Sequence, residues 1–600
     1  MATPQLEIDF IDQHFAALMN RLAKVPSPEL ELAAKLVSNF RARGDVCVPL
    51  RDVTSTAAEK LGGTEIPALR DWVNKLRSSG VVGDPGEFAP LILDQSDRLY
   101  LQRYWKYENE LGRNLQARLR DKSPRDFDPA DLAQGIAELF PGPSDLQKLA
   151  AFVAATSRLC VISGAPGTGK TRTIVFICAL LNTLAGKHEL SFALAAPTGK
   201  AAARLKETIA QTGVSLHLSG KLKLPANAST IQRLLGARGD SPHFRHNAKN
   251  PLTADVVIVD EASMIDLALL AKLFDAIRPD ARIILVGDKD QLASVEAGSA
   301  FRDICTPGFE LGVSVSLAEA FAEITGQKLD GASADQAPIH SVVVELRRNY
   351  RFTPGAGIAE LSNAVNRGDA VAAIAVLKRG GSIRWRPTPS LKNFERELRE
   401  RVFPRFEKLL RLSEPAVALK RLAEFAVLCA LRRGPFGAET VNALLEGMLF
   451  ETGLIEGAGR YHAGEPIIVV RNDYNVGLFN GDLGIVLPDA VTGELRVFFR
   501  GEGDEVLNFA PGRLPAHEPA FALTVHKSQG SEFHDALVIL PERDAPVLTR
   551  ELVYTGITRV RETVEVWASE EILRQTIGRK IERSSGLRER LWKDQAQFNY

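Results

Sequence analysis

Residues 164–171, Gly164-Ala165-Pro166-Gly167-Thr168-Gly169-Lys170-Thr171, make the clearest chemical demand in this sequence. They fit G-x-x-x-x-G-K-[ST], in which glycines let backbone N–H groups close around phosphate oxygens, the lysine reaches the β- and γ-phosphates and the final hydroxyl ligates magnesium. An apolar run at 159–162 precedes the loop and a helical pattern begins at Lys170. The loop therefore opens a helix N-terminus, whose dipole favours anions. The chemistry predicted is binding and hydrolysis of ATP with Mg2+, held by Thr171.

Asp260-Glu261 follows a second apolar run, 256–259, so both carboxylates emerge at the carboxyl end of a buried strand, the edge where such sheets bind ligands. Asp260 suits the metal through water, and Glu261 suits the attacking water. An acidic pair capping a helix at Ala262 is the competing reading. Gln291, after the run 283–286, would sit at the same edge as a sensor of the γ-phosphate, although a turn built on Gly287-Asp288 explains that segment equally well. Phosphoryl transfer also calls for cations on the transferring oxygens, and Arg351 and Arg559 are candidates if nucleotide lies between two α/β units. Taken singly, each also reads as a surface salt-bridge arginine.

These groups need a scaffold. Short apolar runs alternating with helical segments predict parallel sheets covered on both faces. A helix is predicted from Asp145 to Thr156, with Leu146, Leu149, Ala150 and Val153 on one face. The rhythm is lost from Asp303 to Ser341, and Gly331 to Pro338 reads as a mobile connection. The sequence is thus divided into 1–110, a mostly helical partner-docking region with a short strand-like run at 90–93; 111–340, a first α/β unit with a basic hairpin-like insert near 237–253; and 341–600, a second α/β unit whose first apolar run is 342–346. Runs of antiparallel texture with turns such as Asn480-Gly481 predict a small β-barrel inserted at about 463–515.

Composition bounds the partners. Lys plus Arg equal Asp plus Glu at 74 each, so a nucleic-acid surface must be local rather than global. Residues 191–250 supply one, with nine Lys/Arg against Glu207 and Asp240, although solvated helix faces would also explain the charges. Within it, Pro197, Thr198 and Lys200 follow a strand, and Thr230 begins a further group of donors. Five separated cysteines without a CxxC pair argue against zinc or iron–sulfur centres and for buried thiols. No secretory segment or membrane span is recognisable, which predicts a soluble cytoplasmic protein.

The segments GAPGTGKT, AAPTGKAAARL, STIQRLLG, VIVDEASMID, ILVGDKDQLASVEAGS, LRRNYRF, LTVHKSQGSEF and YTGITRVRE, in this order, resemble the superfamily 1 helicases. The wording of DEASMID and TVHKSQGSEF, with GDVCVPL at 44–50, RLYLQRYWKYE at 98–108 and IERSSGLRERL at 581–591, is similar to the RecD family, alpha subunits of RecBCD-type helicase–nucleases. The resemblance implies two RecA-like motor domains and an ATP-dependent helicase moving 5′ to 3′ on single-stranded DNA. RecB-like and RecC-like partners are implied, as is a role in double-strand break repair and recombination. The nuclease activity would reside in the complex. It further implies Gln147 against adenine, 164–171 on the phosphates, Asp260 on magnesium and Glu261 on water. Gln291, Arg351 and Arg559 would meet the γ-phosphate and Glu532 the ribose or its neighbourhood. Pro197, Thr198, Lys200, Thr230, Thr524 and His526 would line the DNA. Ala165 stands where the family usually has glycine, which requires an unstrained backbone there. A stand-alone repair helicase and a regulatory ATP-binding subunit are the alternatives.

Overall fold

The computed structural model describes residues 8–593 except 56–59, 62–63, 122–126, 141–144, 187, 216–224, 226, 239–240, 295, 307–311, 330, 336, 352–356, 456–460, 474 and 502–504. Two parallel sheets dominate it. The first has the order Val343–Leu346, Leu159–Gly164, Arg282–Gly287, Val256–Val259, Phe192–Ala196, Ala228–Thr230. The second has the order Ile383–Arg386, Val560–Trp567, Phe533–Ile539, Phe425–Cys429, Ala522–Thr524. The central strands Leu159–Gly164, Val256–Val259 and Arg282–Gly287 are buried along their whole length, because helices cover both faces and leave no side for polar alternation. Burial of each such Val, Ile or Leu contributes about 1.5–3 kcal/mol.

The boundary expected near residue 340 lies later. Val343–Leu346 pairs in parallel with Leu159–Gly164, which makes it the edge strand of the first sheet rather than the start of the second unit. A strand's partner is fixed by packing and not by its place in the chain, so the break in rhythm at 303–341 marked a change in the covering layer. That layer is ordered: the helix Val315–Thr325 buries Phe321 edge-on against Phe152. The expected mobile connection holds the short strand Ala332–Ser333 and enters the 3-10 turn Pro338–Val342, with position 336 outside the described residues.

The N-terminal region has the expected helices, and its strand-like run at 90–93 is one strand, Leu91–Leu93, of a small sheet. Helices Phe10–Leu22 and Pro28–Ala42 pack together beside a four-stranded sheet ordered Cys47–Pro49, Arg98–Leu101, Leu91–Leu93, Val82–Gly83. The helix Gln102–Arg120 then packs on Leu267–Ala276 of the first motor half, where Arg118 donates to the carbonyls of Ala281 and Arg278. The inserted region forms a five-stranded antiparallel sheet, Val506–Phe509, Leu495–Arg500, Leu483–Pro488, Pro466–Val469, His517–Pro519. Among the described residues the pairing leaves two edge strands, Val506–Phe509 and His517–Pro519, so the expected small barrel is seen as an open sheet. The basic insert near 237–253 contains the isolated bridges Ala237↔Phe244 and Asn247↔Asn250, without longer strands among its described residues. Lys272 donates to the Pro242 carbonyl of this insert at 2.9 Å.

All five cysteines are buried free thiols. No helix among the described residues is long and apolar enough to cross a membrane.

Candidate functional site

The loop after Leu159–Gly164 has the conformation its glycines permit. Gly167 and Gly169 take φ of 89° and 81°, where a side chain would be strained. Among described non-glycine residues only Asp97 and Glu261 have positive φ, so Ala165 meets the condition set by its missing glycine. Thr168 Oγ1 donates to the Ala165 carbonyl at 2.8 Å and closes the turn. Lys170, at the start of helix Lys170–Ala185, donates to the carbonyls of Gly164 at 2.6 Å and Ala165 at 3.2 Å. Gln147 lies over the loop and donates to the Thr168 carbonyl at 3.0 Å. The segment 349–351 braces the other side: Asn349 Nδ2 donates to the Pro166 carbonyl at 2.8 Å, and the Tyr350 amide to that of Gly167 at 2.8 Å.

Asp260 and Glu261 stand at the carboxyl end of Val256–Val259, beside this loop. Glu261 adopts φ 53°, ψ 38°, a left-handed conformation costing on the order of 1–3 kcal/mol that fits a functional position. Only a 3-10 turn, Ala262–Met264, follows, and the Glu261 side chain makes no cap bond, so helix capping does not explain the pair. Burial first, and then the neighbouring Glu261, push Asp260 up to about 6. Gln291 is buried and donates to Asp288 Oδ2 at 3.1 Å, and Tyr554 of the second half donates to the same oxygen at 2.9 Å. The next residue links the halves again, its Leu292 amide donating to Thr555 Oγ1 at 3.1 Å and its carbonyl accepting from Gln529 at 3.0 Å.

A cavity of about 310 Å3 separates the halves, and Lys170, Thr171, Asp260, Glu261, Gln291, Arg351 and Arg559 all face it. Neither arginine is a surface group. Arg559 is 3% exposed and its Nε donates to the Thr555 carbonyl at 3.1 Å, while Arg351 is ion-paired to Glu532. Burial, together with Arg204 and Arg559, lowers the Arg351 pKa although Glu532 opposes the shift. Arg204, which the sequence offered only as one of nine basic residues, lines the same cavity, as does Tyr350. The four-residue spacing of Arg204 from Lys200 on the helix Gly199–Ser215 was the available signal.

The proposed DNA-facing residues divide. Pro197 and Thr198 are half-buried at the end of Phe192–Ala196, and Thr198 Oγ1 caps the next helix by accepting from the Ala201 amide at 3.2 Å. Thr230 is buried and caps Ile231–Leu234, accepting from the Arg233 amide at 3.3 Å. Thr524 is buried and accepts from the Lys527 amide at 3.3 Å, and the half-buried His526 has its pKa lowered by burial and by Arg583. Lys200 is held by partners within the protein. It donates to the Gly481 carbonyl at 3.1 Å and Ser531 Oγ at 2.7 Å, and burial pushes it down to about 8. It ties the first half to the second and to the inserted sheet.

A phosphate loop, an acidic pair and Arg351 on the first parallel sheet, facing Arg559 from the second, define a two-domain ATP-hydrolysing motor. A model of the AAA domain matches residues 147–297, one of the RecBCD enzyme subunit RecD N-terminal domain matches 6–100, and one of the UvrD-like helicase C-terminal domain matches 519–566. The chain is 37% identical to the RecBCD enzyme subunit RecD of Mycolicibacterium smegmatis over 97% of both chains, and 32% identical to that of Haemophilus influenzae over 89% of this chain and 86% of that one. It is also 32% identical to the ATP-dependent RecD2 DNA helicase of Deinococcus radiodurans over 68% of this chain but only 46% of that protein. The chain belongs to the RecD family and is an ATP-dependent DNA helicase of that type.

Proposed function

We propose that the chain moves 5′ to 3′ along single-stranded DNA as one subunit of a RecBCD-type helicase–nuclease, with RecB-like and RecC-like chains, in double-strand break repair and recombination in the cytoplasm. The observation that carries the motor assignment is the shared cavity, in which Lys170, Asp260 and Glu261 of one half face Arg559 of the other. Full-length similarity to RecD subunits supports membership of the complex. So does the helix Phe10–Leu22, whose Phe10, Ile11 and Leu22 are 76%, 66% and 56% exposed, an apolar face suited to a partner.

In this reading Gln147 lies beside the adenine and the loop amides of 164–171 hold the phosphates. Lys170 leaves its own loop carbonyls for the β- and γ-phosphates. Thr171 and Asp260 fit a Mg2+ site: they share the cavity, and a buried acid pushed toward its neutral form regains its charge beside a cation. When bound, magnesium supplies charge neutralisation on the phosphates. Glu261 orients the attacking water and accepts its proton, and Gln291 positions it. Arg351 and Arg559 meet charge developing on the γ-phosphoryl oxygens. Loss of that phosphate changes what the second half is pulled toward, and the Asp288–Tyr554 and Leu292–Thr555 hydrogen bonds carry the change across. Pro197, Thr198, Thr230, Thr524 and His526 mark the strand's course along the carboxyl edges of the sheets, with backbone groups and helix N-termini as the phosphate donors where hydroxyls are already capping.

The test is ATP turnover with and without a single-stranded oligonucleotide. Lys170→Gln should abolish DNA-stimulated turnover in a folded protein. Arg559→Ala should lower kcat about 10²-fold or more while nucleotide affinity stays within a few-fold, as for a group acting in the transition state. Turnover that survives Lys170→Gln contradicts the site.

A further inference from the structure

Arg204 sits on the helix Gly199–Ser215 of the first half and lines the nucleotide cavity. It is ion-paired across the cleft to Glu532, and the charges of Glu261 and Asp260 also act on it. The same Glu532 oxygen accepts from Arg351, and the other accepts from Arg561 through Nε at 3.2 Å and Nη2 at 2.9 Å. A carboxylate offers about four acceptor positions, so the guanidiniums saturate Glu532 and leave none for a ribose hydroxyl. Burial alone would raise the Glu532 pKa, but Arg204 and Arg351 hold it down to about 2. Three arginines around one carboxylate form a net positive cluster, and two of them, Arg204 and Arg351, line the cavity beside the loop that would hold nucleotide phosphates.

We propose that Arg204 is a further phosphate-contacting residue for hydrolysis, and that Glu532 is a positioning residue that holds Arg204 and Arg351 across the cleft and yields them to the terminal phosphate of a bound nucleoside triphosphate. The proposal rests on the motor reading above. A diphosphate lacks the γ-phosphoryl charge and leaves the arginines on Glu532, so the cluster distinguishes ATP from ADP. By linkage, whatever weakens the Glu532 pairs favours the triphosphate over the diphosphate.

The test uses the full chain with and without a single-stranded oligonucleotide. It compares wild type, Arg204→Ala, Arg204→Lys, Glu532→Gln and Lys170→Gln by kcat, KM for ATP, affinity for a fluorescent ADP and a non-hydrolysable ATP analogue, and thermal midpoint. Arg204→Ala should lower kcat about 10²-fold with ADP affinity changed by less than about threefold, and Arg204→Lys should recover part of kcat because it keeps the charge but loses the fork. Glu532→Gln should tighten the ATP analogue relative to ADP by about tenfold, since a competing carboxylate is gone. Wild-type kcat in Arg204→Ala, or equal loss in both Arg204 variants together with a lowered thermal midpoint, overturns the role of Arg204. Equal weakening of ADP and the analogue by Glu532→Gln returns Glu532 to a ribose contact. Wild-type turnover that does not depend on Lys170 overturns the motor reading itself, and is recognisable as such because it precedes any effect at Arg204.

Discussion

Gly199→Ala adds one methyl group where the inserted sheet meets the first motor half. The new Cβ would lie 2.1 Å from Phe479 Cγ, 2.3 Å from Cδ1 and 2.4 Å from Cβ. Carbon atoms pack at about 3.5–4.0 Å, so the Phe479 turn must retreat by roughly 1–1.5 Å. Rotation of the ring does not relieve the clash, because the Phe479 Cβ is itself struck. That turn carries the Gly481 carbonyl that accepts from Lys200 at 3.1 Å, so the retreat loosens this bond as well. Overpacking costs about 1–3 kcal/mol and a lost hydrogen bond from a charged donor about 1.5–3 kcal/mol. One movement relieves part of both, giving about 2–4 kcal/mol against the contact, or roughly 30- to 700-fold more opening at 1.4 kcal/mol per tenfold. Hydrogen exchange reads this directly. The amides of Phe479, Gly481 and Asp482, bonded to Asp482 Oδ2 and to the carbonyls of Val469 and Phe479, should exchange faster, with those of Arg282–Gly287 unchanged. A folded Gly199→Ala protein with unaltered exchange at 479–482 would refute the packing of Phe479 on Gly199.

Tyr554→Phe removes a donor from the buried Asp288 and should cost about 1.5–3 kcal/mol. Burial already raises the Asp288 pKa, which makes its charged form a cost that grows as pH rises above the ordinary 3.8, so the deficit in thermal midpoint should be larger at neutral pH than near pH 4; an equal deficit at both contradicts this. Glu532 is held near 2 against the usual 4.5, so the stabilisation from its pairs with Arg204, Arg351 and Arg561 together, about 3 kcal/mol, of which the first two act across the cleft, is fully present above pH 4.5 and is lost as pH falls from there toward 2. An interdomain fluorescence-transfer pair should report that loosening in wild type, and Glu532→Gln should remove it from this window.

The central strands and the phosphate loop were legible because their signals are local: a buried run, a glycine pattern and the start of a helix within about a dozen residues. The strand Val343–Leu346 was legible as a strand but not as a member of the first sheet, since parallel pairing to Leu159–Gly164 leaves no mark on either segment. Of the N-terminal sheet only the run 90–93 was legible, and it forms the strand Leu91–Leu93; strands such as Val82–Gly83 are too short to show a period of two. Lys200 was visible as a cation beside a strand end, but its direction depends on Gly481 and Ser531, 281 and 331 residues away. The Arg204–Glu532 pair spans 328 residues, and neither partner's neighbours in sequence indicate the other.

Unwinding of duplexes carrying a 5′ or a 3′ single-stranded tail, with ATP, by the full chain and its Lys170→Gln variant, is the most direct measurement. Unwinding of the 5′-tailed duplex alone, lost in Lys170→Gln, is the predicted result. Unwinding from the 3′ tail, or unwinding that survives Lys170→Gln, would contradict a 5′ to 3′ motor driven from this cleft.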